Sequence, residues 1–294
     1  MVVKTKWKGD TGGKPWMQKA MILWFRHTPL FVPYFCMAWV VPFYMIIHHA
    51  AYLSTYRYFR QRFKYGVIRS FANVYLNHFR FGQIVIDRFA MYAGKNFIID
   101  VEGQGYFDEL DQKKEGFLIL SSHIGNYELA GYSLIPQNKT FNALIFGGET
   151  KQVMEGRKSM FEGKRINMIP VTDDMSHIFK INNALEEGNI VSIPGDRIFG
   201  SPRFVEAELL GAKARFPLGP LAIAIQRNIP VLAVFVMKES ITRYTIKVRR
   251  LHISEETDRK NKTNALAIAF AKELDDVLKK YPEQWFNYYN FWES

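Results

Sequence analysis

The stretch FLILSSHIGNYELAG, residues 117–131, holds the residue types best suited to acid–base chemistry. An apolar run ends at Ser121-Ser122, and His123 follows at once. Glu128 stands five residues further on, with Gly125 and Asn126 between. Imidazole is the side chain whose charge changes nearest neutral pH. A carboxylate on one ring nitrogen fixes the tautomer and makes the other nitrogen a better base. With Asn126 capping the next helix, the short Gly-Asn turn folds Glu128 back towards the ring. The expected device is a His–carboxylate dyad, with His123 as general base and Glu128 as its partner. Such a dyad activates a substrate hydroxyl, which attacks directly without an enzyme nucleophile. Backbone N–H groups at Gly125 and Asn126 are candidate donors to a developing oxyanion. His-x4-Glu spacing is a weak signal by itself. It gains weight here from the strand end and the Gly-Asn turn, and because no other His of the seven has Asp or Glu at that spacing.

A second chemistry-bearing segment covers residues 189–238. An apolar strand runs into Gly195-Asp196-Arg197, and a basic, Gly-containing stretch follows with Gly211, Lys213, Arg215, Pro217 and Gly219. Arg197, Lys213 and Arg215 are suited to holding a phosphate or a negatively charged carrier. Phe216-Pro217-Leu218-Gly219 reads as a turn presenting N–H groups at a helix start. Ser121 and Ser122 lack the flanking glycines of a nucleophile elbow, which argues against a serine hydrolase.

These residues need a scaffold, and the pattern from residue 96 onward supplies one. Short β-branched runs at 97–101, 117–120, 141–146, 167–171, 190–194 and 231–237 alternate with helical segments near 126–135, 151–163, 174–187 and 217–228. Thr172 or Asp173 is placed to cap the third of these helices. Tyr244, Ile246 and Val248 alternate as in a half-exposed strand, and residues 262–280 form an amphipathic helix. The reading is an α/β fold: a central mixed β-sheet flanked by helices, with reactive groups at the carboxyl ends of strands. That catalytic domain spans 96–294. Residues 1–95 form an N-terminal helical, membrane-associating region, led by a flexible or surface-lying stretch over residues 1–20.

Charge and hydropathy support this division. The net charge is +11, and residues 1–70 hold eleven Lys or Arg against one acid, Asp10. The remaining residues are nearly neutral. The charge flanks the uncharged run LFVPYFCMAWVVPFYMII, residues 30–47, which is short for a bilayer span and interrupted by Pro33 and Pro42. A monotopic or re-entrant anchor on an anionic membrane is expected. A basic nucleic-acid binder would spread its charge over a folded recognition surface, so no nucleic-acid partner is expected. The single cysteine, Cys36, excludes a disulfide framework, and no His or carboxylate cluster marks a metal site. No cofactor is required.

SSHIGNYELAG resembles the HX4(D/E) block of the lysophospholipid acyltransferase superfamily. The order of this block, IPGDRIFG, LLGAKARFPLGPLAIA and the terminal YPEQWFNYYNFW is similar to that of the bacterial lipid A late acyltransferases. The resemblance covers residues 20–292. It implies an acyl thioester donor, usually acyl carrier protein, a hydroxyl acceptor already borne on a lipid, and attachment to the cytoplasmic face of the inner membrane. It also implies that Asp196 matches the acidic residue of the later block, with Arg197 a substrate contact. Arg165, or else Arg157, matches an arginine near the acceptor phosphate. One departure stands out: after Pro282-Glu283-Gln284-Trp285 the chain reads Phe286-Asn287-Tyr288-Tyr289-Asn290, without the family's terminal basic pair. Alternatives are therefore an acyltransferase for a lysophospholipid, an aminolipid or a polyene-type lipid, or a non-enzymatic membrane lipid-binding protein.

Overall fold

The computed structural model describes residues 15–146, 165–172, 174–198, 203–254, 256–258 and 261–292. The helix expected near 151–163, and with it Arg157 and Asp173, lie outside the described residues. Four helices lead the chain: α1 (Pro15–His27), α2 (Phe31–Ile47), α3 (His49–Gln61) and α4 (Val67–Tyr92). The alternating part follows as β1 (Ile98–Glu102), α5 (Gln104–Gln112), β2 (Phe117–Gly125), α6 (Glu128–Ser133), β3 (Phe141–Phe146), β4 (Ile166–Val171), α7 (Ser176–Glu186) and β5 (Ile190–Pro194). It closes with β6 (Phe204–Leu209), β7 (Ala212–Pro217), α8 (Leu218–Arg227), β8 (Val231–Lys238), β9 (Arg243–Arg250), α9 (Lys262–Lys280) and a 3-10 turn, Pro282–Gln284.

Seven strands form one mixed sheet in the order β1-β9-β8-β2-β5-β3-β4. The five strands from β8 to β4 run parallel. The edge pair β1 and β9 runs the other way, with β9 antiparallel to β8. Parallel strands covered on both faces need apolar residues throughout rather than in alternation. β8, VLAVFVMK, is buried at every position. On one face Leu118, Leu120, Val191, Ile193, Ala233 and Phe235 pack under α9. On the other, Phe117, Ile119, Leu232, Val234 and Val236 pack with Phe107 and Leu110 of α5.

The basic, Gly-containing stretch is a separate antiparallel hairpin, β6–β7. Its turn, Leu210-Gly211, has both residues in the left-handed region. The helix now numbered α7 is preceded by Met175 rather than by Thr172, and the Asp174 carboxylate accepts the Ser176 N–H at 3.0 Å.

α4 ties the leading helices to the sheet. Its Asp87 accepts a hydrogen bond from Lys238 Nζ of β8 at 2.5 Å. The Tyr34 hydroxyl of α2 and the Tyr244 hydroxyl of β9 donate to the same carboxylate. Among the described residues no single helix is long and apolar enough to cross a membrane, and α2 meets α3 at a 99° bend. One face of α2 turns outward at every fourth residue: Phe31, Phe35, Trp39, Phe43 and Ile47 are 62–76% exposed. Its other face buries Tyr34, Val41 and Met45.

Candidate active site

His123 lies near the carboxyl end of β2, at the middle of the sheet. The neighbouring strand β5 pairs in parallel with Ser121 opposite Pro194. Continuing that register two residues brings His123 beside Asp196, and equal parity sends both side chains to one face. The Gly195 N–H donates to the Ser121 carbonyl at 2.8 Å, which carries the pairing past the end of β5. Gly195 is tightly enclosed: a Cβ there would lie 2.9 Å from the Phe270 ring.

Asp196 is the carboxylate on the imidazole. Its Oδ1 lies 2.8 Å from His123 Nδ1, and its Oδ2 accepts the His123 backbone N–H at 2.8 Å. The Trp285 indole N–H also donates to Oδ2, at 2.9 Å. Burial alone would push the Asp196 carboxyl up. The His123 charge and these three donors outweigh it and hold the group below the usual carboxylate range. The Asp196 side chain is wholly enclosed, whereas the His123 ring is 19% exposed. Nε2 of that ring has no hydrogen-bond partner among the described residues.

Glu128 was expected in that position and is elsewhere. It is the first residue of α6, and its Oε1 lies 2.9 Å from an Arg88 nitrogen on α4. The reason is the turn between His123 and α6. β2 shifts register between Ser121 and Gly125, and Gly125 adopts φ +53°. A Cβ at Gly125 would meet the Val236 carbonyl at 1.9 Å, so only glycine allows this approach of β2 to β8. The Asn126 N–H then donates to that same Val236 carbonyl at 3.0 Å. Tyr127, not Asn126, precedes α6, the helix has no side-chain cap, and the Glu128 carboxylate faces α4. The Asn126 N–H is also committed to Val236, which removes it as an oxyanion donor. Gly125 remains at the strand end beside His123.

The other expected site residues divide by position. Arg197 follows Asp196 directly. Its guanidinium donates to the Phe286 carbonyl at 3.3 Å and lies 5.9 Å from the Tyr289 ring. Arg165 does not reach the site. It precedes β4 at the amino-terminal edge of the parallel strands and donates to the Gln137 carbonyl at 3.0 Å. Lys213 and Arg215 stand on β7 of the separate hairpin, opposite Glu208 and Glu206 respectively. Arg215 lies 3.8 Å from the Glu206 carboxylate and 4.4 Å above the Phe204 ring. These contacts of Arg165, Lys213 and Arg215 lie away from His123 and Asp196.

The C-terminal segment contributes what the motif reading gave no role. Trp285 pairs with Ile124 across an isolated antiparallel bridge, and the Phe286 N–H donates to the His123 carbonyl at 2.9 Å. Gln284 exchanges two hydrogen bonds with the Lys238 backbone, each 2.8 Å. The Asn77 amide on α4 donates to the carbonyls of Glu283 and Trp285, at 3.0 and 2.9 Å. The sequence signal was the Pro-Glu-Gln-Trp run itself, an amide and an indole placed where a strap can use both.

The arrangement is an imidazole with an enclosed carboxylate behind it and a partly exposed ring edge in front. Comparison with protein families agrees with an acyl-transfer role. The family described as bacterial lipid A biosynthesis acyltransferase matches residues 69–294, and the chain belongs to that family. It is an acyltransferase. Among solved structures it is similar to the 1-acyl-sn-glycerophosphate (LPA) acyltransferase PlsC from Thermotoga maritima, at 18% identity and a TM-score of 0.35. That similarity covers 90% of this chain and 98% of that one. No curated protein matches it.

Proposed function

We propose that this family member is a membrane-associated O-acyltransferase in lipid A biosynthesis. It takes a fatty acyl chain from acyl carrier protein and transfers it to a hydroxyl on a lipid A precursor, at the cytoplasmic face of a bacterial inner membrane. The observation that carries the reading is the 2.8 Å contact between His123 Nδ1 and Asp196. It leaves Nε2 as the basic atom of a partly exposed ring.

In the reaction, Nε2 removes the proton from the acceptor hydroxyl as its oxygen forms a bond to the thioester carbonyl carbon. The carbon–sulfur bond breaks, and the thiolate leaves with the proton returned from the imidazolium. Asp196 holds Nδ1–H throughout and stabilises the imidazolium, as a buried carboxylate does in other His-based sites. The Gly125 N–H and the Arg197 guanidinium are the candidate donors to the oxyanion. Glu128, held by Arg88, fixes the start of α6 against α4.

Membrane seating is supported by the outward face of α2, continued by Leu23 and Trp24 of α1 and by Val67, Ile68 and Phe71 of α4, all exposed. Monomeric soluble proteins rarely leave so large an apolar surface uncovered. Arg26, Arg57, Arg60, Lys64 and Arg69, all exposed, supply the charge for an anionic headgroup layer. A different lipid acceptor is the second reading. It is favoured by Asn287 and Asn290 in a tail without the basic pair, since amides suit hydroxyls as well as they suit anions.

The test is mass spectrometry of total lipids from cells with the protein, without it, and with His123→Ala. The expected result is loss of one acyl mass from a lipid A species, not restored by the variant. A shift confined to another lipid class would move the acceptor. An unchanged lipid profile would remove the enzymatic reading.

A further inference from the structure

Trp285 is 4% exposed and sits behind the proposed base, with its indole N–H 2.9 Å from Asp196 Oδ2. That oxygen already accepts the His123 backbone N–H, while the other oxygen faces the imidazole. His123 alone gives each carboxylate oxygen one donor, the ring N–H to Oδ1 and the main-chain N–H to Oδ2. The indole adds a second donor to Oδ2 from another part of the chain, so the carboxylate's orientation is referenced to the tail and does not simply follow the movements of His123. The indole plane is itself held at three points. It packs edge-on to Tyr58, Phe291 and Trp292, with centroids 5.4, 5.0 and 5.8 Å away. Its backbone carbonyl is gripped by Asn77, and the next residue binds the His123 carbonyl. One tail segment therefore grips both members of the dyad: Asp196 by its side chain and His123 by its main chain.

We propose that Trp285 is a positioning residue for the reaction, setting the orientation of Asp196 and through it the tautomer and aim of His123. The inference rests on the reading of His123 as the base. The C-terminal strap is then a working part of the site, and the leading helix α4, through Asn77, is what tensions it.

The readout is the pH dependence of turnover. The groups facing the dyad are Arg197 and the Tyr289 hydroxyl from the Asp196 side, Tyr127 across the ring at 5.6 Å, and Tyr58 behind the indole. None of these is removed by the substitution. Loss of the indole N–H leaves the carboxylate less neutralised, so it draws harder on Nδ1–H and stabilises the imidazolium. The acid limb of the profile moves to higher pH. The experiment uses the full-length protein in detergent, with a long-chain acyl thioester and a lipid extract of the producing cells, following thiol release. Trp285→Phe is expected to lower kcat about tenfold with KM for the thioester within about twofold, and to move the acid limb up by about half a pH unit.

Trp292→Phe is the control. It removes an indole N–H that binds the Leu209 carbonyl from the same aromatic cluster, and it should leave the limb in place. Should Trp285→Phe fail to fold, the benzothiophene isostere at position 285 keeps the bicyclic shape and deletes only the N–H. The same shift is expected of it. A limb unmoved in either replacement, or moved equally by Trp292→Phe, overturns the proposal. His123→Ala in the same assay separates the two levels: activity retained there sinks the reading of the base, whereas activity lost there with an unmoved Trp285 limb sinks only the positioning role.

Discussion

Asp87 and Asp196 are both buried carboxylates, 0% and 1% exposed, and both receive three hydrogen bonds from the chain. They differ in where those bonds lead. Asp87 faces Lys238, and both side chains of that pair are wholly enclosed. Tyr34 and Tyr244 close the remaining sides. Burial pushes the Asp87 carboxyl up and the Lys238 amine down, and the group answers to nothing outside. Asp196 faces a ring that is partly in the open. The same functional group is a clasp in one place and, in the function proposed above, half of a base in the other. What separates them is whether the hydrogen-bond chain terminates inside or reaches a group that can exchange protons with a substrate.

The largest effect that would break this comparison is on turnover. Asp196→Asn should lower the rate per folded molecule by about 10²–10⁴-fold, as loss of a base's orienting partner does. Asp87→Asn should leave that rate within a few fold. It should instead destabilise the protein by about 3–5 kcal/mol, because Lys238 is left buried without its counter-ion. Chemical denaturation beside a thioester assay measures both. A folded Asp87→Asn protein as slow as Asp196→Asn would erase the distinction.

A smaller effect sharpens the assignment of the motif carboxylate. Glu128→Gln should behave like the clasp. Stability should fall by about 1–3 kcal/mol as Arg88 loses its partner, with the acid limb of the rate profile unmoved. If folded Glu128→Gln lost activity as completely as His123→Ala, the carboxylate acting on the ring would be Glu128 after all. The smallest effect is on acid stability. Asp196 is held below its ordinary value, so its contribution is fully present above about pH 4 and is lost as pH falls through the lower folded value. Unfolding free energy should therefore drop below about pH 4 in the native protein, and less steeply in Asp196→Asn.

Much of this site is written locally. His123 at a strand end, the Gly-Asn turn, Asp196 and Arg197 after the next apolar strand, and the amphipathic α9 are short-range patterns, and the structure has each of them. The β6–β7 hairpin is not legible in the sequence because its apolar alternation is weak among charged, Gly-containing residues. Only the pairing of Glu206, Glu208, Lys213 and Arg215 across two strands reveals it. Arg165 was hidden for another reason. Spacing says that it lies near a strand but not at which edge of the sheet that strand begins.

The sequence by itself determined the chemistry that was available: one imidazole at a strand end, carboxylates in two later blocks, an indole in the tail, and a basic, aromatic leading region. Tertiary structure decided which carboxylate met the imidazole. Glu128 is five residues from His123, yet the turn through Gly125 delivers it to Arg88 on α4. Asp196 is 73 residues away, yet it arrives within hydrogen-bond distance. Strand order is the cause. β5 lies beside β2 in parallel register, neighbouring strands are separated by only about 4.8 Å, and equal parity puts both side chains on one face. Sequence spacing measures distance along the chain, and a sheet replaces that measure with its own.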